Sequence, residues 1–396
     1  MPKTVGIVTE YNPFHLGHKY QIDKLCELGF DSIAVCMSGS CVQRGEFSLL
    51  SKFERAKMAV DCGVNLVCEL PYPYSCFSAE SFAKNGVRIL KNLGVDAISF
   101  GSECGDIKTL YPISEYLLSN EYNEKLKSYL SSNIPFASAR EKAILDKFSL
   151  NSNIVSASND ILALEYIKEC IRLNWDVEFV PIKRKGANYN DLTPKNGVAS
   201  ATYIRKCADE FLFDKAVSFV PELIRKNFIN RLEQGDYFTP DESFEKAVIF
   251  TLKKLSAQDF EKLPDCNKEL SHAFENNISD CSSIEQLINS MPTKQYTRAR
   301  LKRIILFAFL DYSDKLPELV PFIRLLAMDK KGEGILKKAK IISDLPISHS
   351  YRILQDLNDD CKNVIKAESF ATDSQHLFFR YCGENRTDYT TKLYKK

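Results

Sequence analysis

Histidine is scarce in this chain, five residues in 396, so two of them falling close together carries information. Any Cys-x-x-C pair is absent. None of the thirteen cysteines has the spacing of a zinc knuckle or ribbon, and no metal site built from protein ligands is expected. An odd cysteine count without a framework fits a reducing cytoplasm better than a disulfide scaffold. Cys36, Cys68 and Cys170 fall inside apolar stretches, where a thiol behaves as a small hydrophobe. No run approaches the ~18 consecutive apolar residues of a membrane helix. An apolar strand begins at Val5, which leaves no room for a signal peptide. A cytoplasmic protein without a membrane partner is therefore expected. Net charge is nearly absent as well, +1 overall, so any surface for nucleic acid must be a local one.

With 44% hydrophobic and 27% charged residues the composition is globular, and 396 residues favour two domains over one. The first 105 residues alternate. Apolar stretches at 5–11, 32–38, 65–70 and 97–102 read as strands, and stretches of helical spacing at 15–28, 51–62 and 78–93 read as helices. Strands separated by helices imply a parallel, doubly wound sheet, whose ligands bind beyond the carboxyl ends of the strands. Residues 106–175 read mostly as helix, including Asn159–Leu173; Val177–Lys183 reads as a further strand and Ser200–Phe211 as a helix. Past residue 215 no strand alternation persists, and 12 of the 16 glycines precede residue 200. The expected fold class is α/β, a doubly wound parallel sheet over 1–215 followed by a mainly α-helical C-terminal domain over 216–396.

The most informative stretch is Ile7-Val8-Thr9-Glu10-Tyr11-Asn12-Pro13-Phe14-His15-Leu16-Gly17-His18-Lys19-Tyr20. An apolar strand runs into a turn, because Pro13 fixes its own φ and pushes Asn12 out of the helical region. His15 and His18, three residues apart, then project from one side of the first helical turn. Unpaired backbone N–H groups and the positive dipole end are expected there too, making an anion site with two imidazole donors. Gly17 removes a side chain where a nucleotide would lie close. A pair of capping histidines is the plainer reading, weakened by how few histidines the chain has. The His-x-Gly-His pattern is similar to the signature of the HIGH superfamily of nucleotidyltransferases, which includes class I aminoacyl-tRNA synthetases and pantetheine-phosphate adenylyltransferase.

Other constellations are weaker alone. Ser200-Ala201-Thr202-Tyr203-Ile204-Arg205 opens a helix with two hydroxyls and an arginine, either an ordinary cap or a phosphate clamp; it resembles the second phosphate-binding motif of adenylyltransferases, (S/T)-x-T-x-x-R. Ser38–Glu46 places Gln43-Arg44 between two glycines, with Arg44 a candidate for phosphate or acceptor contact. Lys52 and Arg55 follow on a conventionally capped helix and read as solvated. Glu69-Leu70-Pro71-Tyr72-Pro73-Tyr74 reads as a stiff pocket wall rather than a base-stacking platform. Tyr296–Arg303 concentrates Arg298, Arg300, Lys302 and Arg303, with Leu301, Ile304, Ile305 and Ala308 burying one face and the cations pointing outward. Lys330-Lys331 and Lys337-Lys338-Ala339-Lys340 form a second basic group, and Lys395-Lys396 follow at the end of the sequence. Each charge run alone reads as a solvated face; together they make contact with an RNA backbone plausible.

Over most of its length the chain resembles the bacterial tRNA(Met) cytidine acetate ligase family. The resemblance rests on Glu10–His18, Val42-Gln43-Arg44-Gly45-Glu46, Phe100-Gly101-Ser102-Glu103, Ser158-Asn159-Asp160-Ile161-Leu162, Lys183-Arg184-Lys185-Gly186, the Ser200–Arg205 helix start and Tyr296–Arg300. Ser40-Cys41 departs from it, where a bulkier polar–aromatic pair is expected. The resemblance implies a Rossmann-like HIGH-type fold and a ligase that uses ATP to activate acetate as acetyl-adenylate. It then acetylates N4 of the wobble cytidine of elongator tRNA(Met), with no role for DNA. His15 and His18 would be catalytic, and residues 7–20, Gly101, Asn159, Arg184, Lys185, Ser200, Thr202 and Arg205 would hold ATP. Mg²⁺ would travel with the nucleotide phosphates, and Arg44, Arg298, Arg300 and Arg303 would meet the tRNA. Two rival readings remain: a small-molecule adenylyl- or cytidylyltransferase, and a non-catalytic RNA-binding protein with a vestigial nucleotide site.

Overall fold

In the computed structural model, residues 3–132, 134–149, 153–184, 199–293, 295–381 and 383–396 are described. The strands are β1 (Thr4–Thr9), β2 (Ser32–Ser38), β3 (Cys41–Val42), β4 (Glu46–Phe47), β5 (Leu66–Leu70), β6 (Ala97–Ser102), β7 (Glu178–Lys183), β8 (Ile323–Met328), β9 (Ile347–Ser348) and β10 (Tyr394–Lys395). Eight of them form one sheet in the order β10-β8-β5-β2-β1-β6-β7, with β9 also on β8, while β3 and β4 make a separate hairpin. The run β5-β2-β1-β6-β7 is parallel throughout. Apolar side chains cover both its faces, as a doubly covered sheet requires. Val5, Ile7, Ile33 and Val35 join one core with the helices Leu16–Glu27, Lys52–Asp61, Ala201–Asp209 and Glu222–Glu233. Val8, Ala34, Cys36 and Cys68 join the other with Ala79–Asn92 and Ser158–Arg172. The chain winds from β1 through β2 to β5, then returns to the far side of β1 for β6 and β7. The point of reversal lies between β1 and β6, where a doubly wound sheet opens a crevice at its carboxyl edge.

The helices and strands expected before residue 215 are present, with ends shifted by one or two residues. Beyond it the chain is mainly helical, but it also returns to the sheet. β8 pairs antiparallel with β5, Leu66 facing Met328, and carries β9 and β10, so the sheet is mixed. The sheet thus draws strands from both sides of residue 215. A third core, including Phe244, Phe260, Phe274, Leu301 and Phe307, fills the helical part between residues 242 and 310.

Candidate active site

β1 ends at Thr9, and Tyr11 takes φ +46°, a left-handed conformation uncommon outside glycine. The Asn12–Pro13 peptide is cis, and His15 becomes the N-cap of the Leu16–Glu27 helix. There the two histidines close a reciprocal capping box. His15 Nδ1 accepts the Gly17 N–H at 2.9 Å, and His18 Nδ1 accepts the His15 N–H at 3.3 Å. The rings stack 3.8 Å apart at 22°, with Tyr11 edge-on to His18 at 4.7 Å and Phe14 behind at 5.6 Å. An imidazole whose Nδ1 accepts must carry its proton on Nε2. Burial, then Arg184 and Arg205, lowers the His15 pKa to about 3; burial, then His15 and Arg184, holds His18 well below its usual value. The pair therefore offers two neutral Nε2–H donors.

The unpaired backbone N–H groups expected at this helix start are not there. Leu16 N–H donates to Phe219 O at 3.0 Å, Gly17 N–H to the His15 ring, and His18 and Lys19 N–H to His15 O at 3.0 and 3.1 Å. The residues are already capped by one another, so hydrogen bonding to an anion falls to the imidazoles rather than to the backbone.

A cleft of about 440 Å³ opens at this point on the carboxyl edge of the sheet. Ile7 to Asn12 form its floor, with His15, His18 and Gln21 on one wall. Gly101, Asn159 and Arg184 from neighbouring segments complete the expected nucleotide residues that line it. A smaller recess of about 50 Å³ continues past Gly17, Tyr20, Gly101 and Arg184. The nearest atoms a Cβ on Gly101 would meet belong to the Arg184 side chain, at 3.6 Å, an ordinary contact, so packing among the described residues does not demand glycine there. Asn159 is held by Glu103, whose Oε1 accepts its Nδ2–H at 2.6 Å.

Other expected nucleotide residues stand behind the cleft. Pro13, Phe14 and Leu16 do not line it, and Lys19 pairs with Asp23 one turn on. Ser200 caps its helix by accepting the Tyr203 N–H at 3.1 Å. Arg205 donates to Asn12 O at 2.8 Å, to Glu46 Oε1 at 3.1 Å and to Thr202 Oγ1 at 3.3 Å. It thus fixes the turn that carries the histidines. Lys185 lies outside the described residues.

Sequence reasoning missed several lining residues. Gln21 is one turn beyond His18 on the same helical face, and extending the three-residue spacing would have found it. Gln43, Phe100, Thr297 and Ala299 fall within motifs of the resemblance that do not by themselves mark them as lining residues, while Phe82 and Tyr166 arrive through tertiary packing and carry no local signal. The β3–β4 hairpin presses against the C-terminal helices. Gly45 has φ +76°, and a Cβ on it would come within 2.3 Å of the Arg303 backbone nitrogen. At Ser40 the hydroxyl pairs with Thr372 at 2.8 Å in a fully buried setting.

The basic helix Arg298–Phe309 differs from expectation. Leu301, Ile304, Ile305 and Ala308 are buried as expected, but so is Arg303, which lines the cleft and pairs with Asp265 at 2.7 Å. Arg300 donates to Asp265 O at 2.7 Å, and Arg298 pairs with Glu285 and Asn289 on the surface. Of the four proposed tRNA contacts, Arg44 and Arg303 line the cleft while Arg298 and Arg300 do not. The second basic group sits elsewhere. Lys331 reaches Asp31 O, and Lys338 reaches Gly94 O and Asp96, at the amino ends of β2 and β6. The two groups therefore lie at opposite edges of the sheet and cannot form one face.

Lys52 and Arg55, expected to be solvated, are fully buried. Lys52 Nζ lies 2.5 Å from Glu69, 2.7 Å from Glu368 and 2.7 Å from Asp388. Arg324 joins Glu69 at 3.2 Å and also pairs with Asp388. Arg55 donates to the carbonyls of Glu10 at 2.6 Å, Ser38 at 3.0 Å and Leu50 at 3.2 Å. These side chains tie the ends of β1, β2 and β5 to the C-terminal chain. Tyr72 and Tyr74 are buried beside them, consistent with a stiff wall. The twelve described cysteines are all free, and among the described residues no cluster of three or more His, Cys, Asp or Glu could hold a metal ion. No helix among them is long and apolar enough to cross a membrane.

The family model described as HIGH Nucleotidyl Transferase matches residues 2–389. A protein of Caldicellulosiruptor bescii named tRNA(Met) cytidine acetate ligase is 38% identical over 354 residues, covering 85% of each chain. One of the same name from Thermoanaerobacter sp. is 33% identical over 405 residues, covering 99% of each. The crystal structure of Thermotoga maritima TmcAL bound with alpha-thio ATP superposes with a TM-score of 0.89, at 27% identity over the whole of both chains. With the paired histidines at the switch point of the sheet, these matches show that the chain belongs to the HIGH nucleotidyltransferases and, among them, to the tRNA(Met) cytidine acetate ligase family.

Proposed function

We propose that this ligase uses ATP to convert acetate to acetyl-adenylate and then acetylates N4 of the wobble cytidine of elongator tRNA(Met). Attack of an acetate oxygen on the α-phosphorus, with pyrophosphate leaving, needs no protein nucleophile; it needs positioning and charge stabilisation. The observation that carries the reading is the pair of neutral Nε2–H donors, His15 and His18, fixed by their own cap at the mouth of the cleft. Arg184 beside them supplies positive charge, and Gly101 and Asn159 offer room and a polar group for the nucleoside. Mg²⁺ would travel on the nucleotide phosphates without a protein site of its own, which suits a cleft whose described lining contains a single carboxylate, Glu10. Arg44 at the rim, with Arg298 and Arg300 outside it, are the proposed tRNA contacts.

The test is acetate-dependent ATP–pyrophosphate exchange on the purified protein, with mass spectrometry of tRNA nucleosides for N4-acetylcytidine. Exchange with acetate and formation of N4-acetylcytidine are expected. Exchange that needs a phosphorylated metabolite would point to a small-molecule nucleotidyltransferase; tight tRNA binding without exchange would point to a binding protein.

A further inference from the structure

One cleft residue has no place in holding a polyanion. Glu10 sits at the end of β1, immediately before the turn that carries the histidines, and it lines the cleft. Its carboxylate accepts the Gln43 N–H at 3.0 Å, its one hydrogen bond among the described residues. A negative charge here repels ATP, so nucleotide binding alone gives no reason for it.

The second half of the proposed reaction supplies a reason. When the cytosine N4 amine attacks the acetyl carbonyl, a C–N bond forms. The C–O bond to the phosphate breaks, AMP leaves with that electron pair, and one N4 proton must go to a base. The described titratable groups lining the cleft are Glu10, Tyr11, His15, His18, Arg44, Tyr166, Arg184 and Arg303. Arginines stay protonated. Burial pushes the phenols of Tyr11 and Tyr166 up, so they remain neutral. His15 and His18 already carry hydrogen on Nε2, and each Nδ1 is closed by a backbone N–H. We propose that Glu10 accepts the N4 proton during acetyl transfer, an inference that rests on the ligase reading above.

The surroundings suit that task. Arg44 and Glu46 face Glu10 from the hairpin, Arg205 from the Ala201–Asp209 helix, Arg55 from the Lys52–Asp61 helix and Tyr166 from the Ser158–Arg172 helix. Burial is the largest influence and raises the carboxyl above its ordinary value, while Arg44 and Arg205 pull the other way. A carboxylate moved towards neutrality is a better base at working pH.

The test separates the two half-reactions in Glu10→Gln, which keeps an oxygen for the Gln43 N–H. Single-turnover acetyl transfer to tRNA should fall roughly 100-fold or more, the usual loss of a general base, and at least tenfold further than acetate-dependent ATP–pyrophosphate exchange. The parent transfer rate should rise with pH and level off; the variant should lose that plateau. Glu10→Asp should recover part of the rate and guards against a folding defect in the first variant. Equal losses in both half-reactions, exchange restored by extra Mg²⁺, or an unchanged transfer profile would each overturn the inference. A parent protein without acetate-dependent exchange would instead overturn the ligase reading, and this inference with it.

Discussion

His18 has two separable jobs, and two substitutions divide them. Its Nδ1 accepts the His15 N–H at 3.3 Å, a structural cap, which leaves Nε2–H as the donor of a ring that lines the cleft. Asparagine places Oδ1 where Nδ1 stands and has nothing at the Nε2 position. Glutamine places its amide nitrogen near the Nε2 position and leaves the cap unfilled. His18→Asn should therefore keep the fold and lose the chemistry. Removing one preorganised donor from a developing oxyanion costs ~2.7–4 kcal/mol, a 10²- to 10³-fold fall in rate. His18→Gln should keep most of the rate and lose the cap, about 1 kcal/mol at most for so long a bond. In a chain of this size that is a shift of about 2 °C in Tm. Both variants forfeit the ring stack on His15, which makes each the control for the other.

The assay pairs acetate-dependent pyrophosphate exchange with thermal unfolding of the same samples. Exchange lost in the asparagine variant at parental Tm, and kept in the glutamine variant at a lowered one, is the expected pattern. Equal exchange rates in the two variants would refute the assignment of the proton to Nε2, and with it the view that the histidines act as neutral donors.

Acid should expose the neutrality of His15 directly. Its folded pKa of about 3 lies below the unfolded value near 6.5, so the unfolded chain binds more protons between them. The stability from a neutral His15 is complete above pH 6.5 and falls as pH drops towards 3, at about 1.4 kcal/mol per pH unit. Urea titrations of His15→Asn between pH 6.5 and 4.5 should show a shallower slope than the parent; identical slopes would refute the shift. Gly101→Val should fold normally yet raise the Kd for ATP more than tenfold by calorimetry, and parental affinity would remove Gly101 from the nucleotide site. Lys52→Met leaves Glu69, Glu368 and Asp388 without their shared cation and should cost ~3–5 kcal/mol in chemical denaturation; a loss below 1 kcal/mol would mean the cluster is held by Arg324 alone. Replacing Arg298 and Arg300 together by Ala should lower the salt slope of tRNA binding by about 2. Arg303→Met, which breaks the Asp265 pair, should reduce stability and leave that slope unchanged.

What could be read in the sequence follows the reach of each residue's partners. The histidine turn was legible because Pro13, Gly17 and the three-residue spacing settle it within eighteen residues, and the strands and helices before residue 215 announce themselves by local periodicity. β8 did not. Ile323–Met328 is a short apolar run with a charge inside it, and Arg324 argues against a core strand until Glu69 and Asp388 are known to meet it. Lys52 and Arg55 read as solvated for the same reason. Two of the three carboxylates on Lys52 lie hundreds of residues away, the third, Glu69, ends a separate strand, and Arg55 is met by backbone carbonyls; a lone cation on a capped helix resembles a surface residue. Arg303 looked like part of an RNA-binding stripe because its sign was visible and its partner, Asp265, was not.

The site itself joins both kinds of information. The imidazole donors are organised locally, by a cap that His15 and His18 make for each other. Glu10 beside them is organised from afar: the Gln43 N–H donates to its carboxylate, Arg55 to its carbonyl, and Arg205 to the Asn12 carbonyl two residues on. Arg205 donates to Asn12 O in the histidine turn and to Glu46 in the hairpin, and Glu46 also lies 3.4 Å from Lys302 on the basic helix. A perturbation of that helix therefore has a chain of charged contacts leading to the turn that carries the donors. If Glu46 is the joint, Glu46→Gln should alter exchange and tRNA affinity together. A variant that changed exchange alone would show that Arg205 serves the nucleotide directly and that the hairpin only packs beside it.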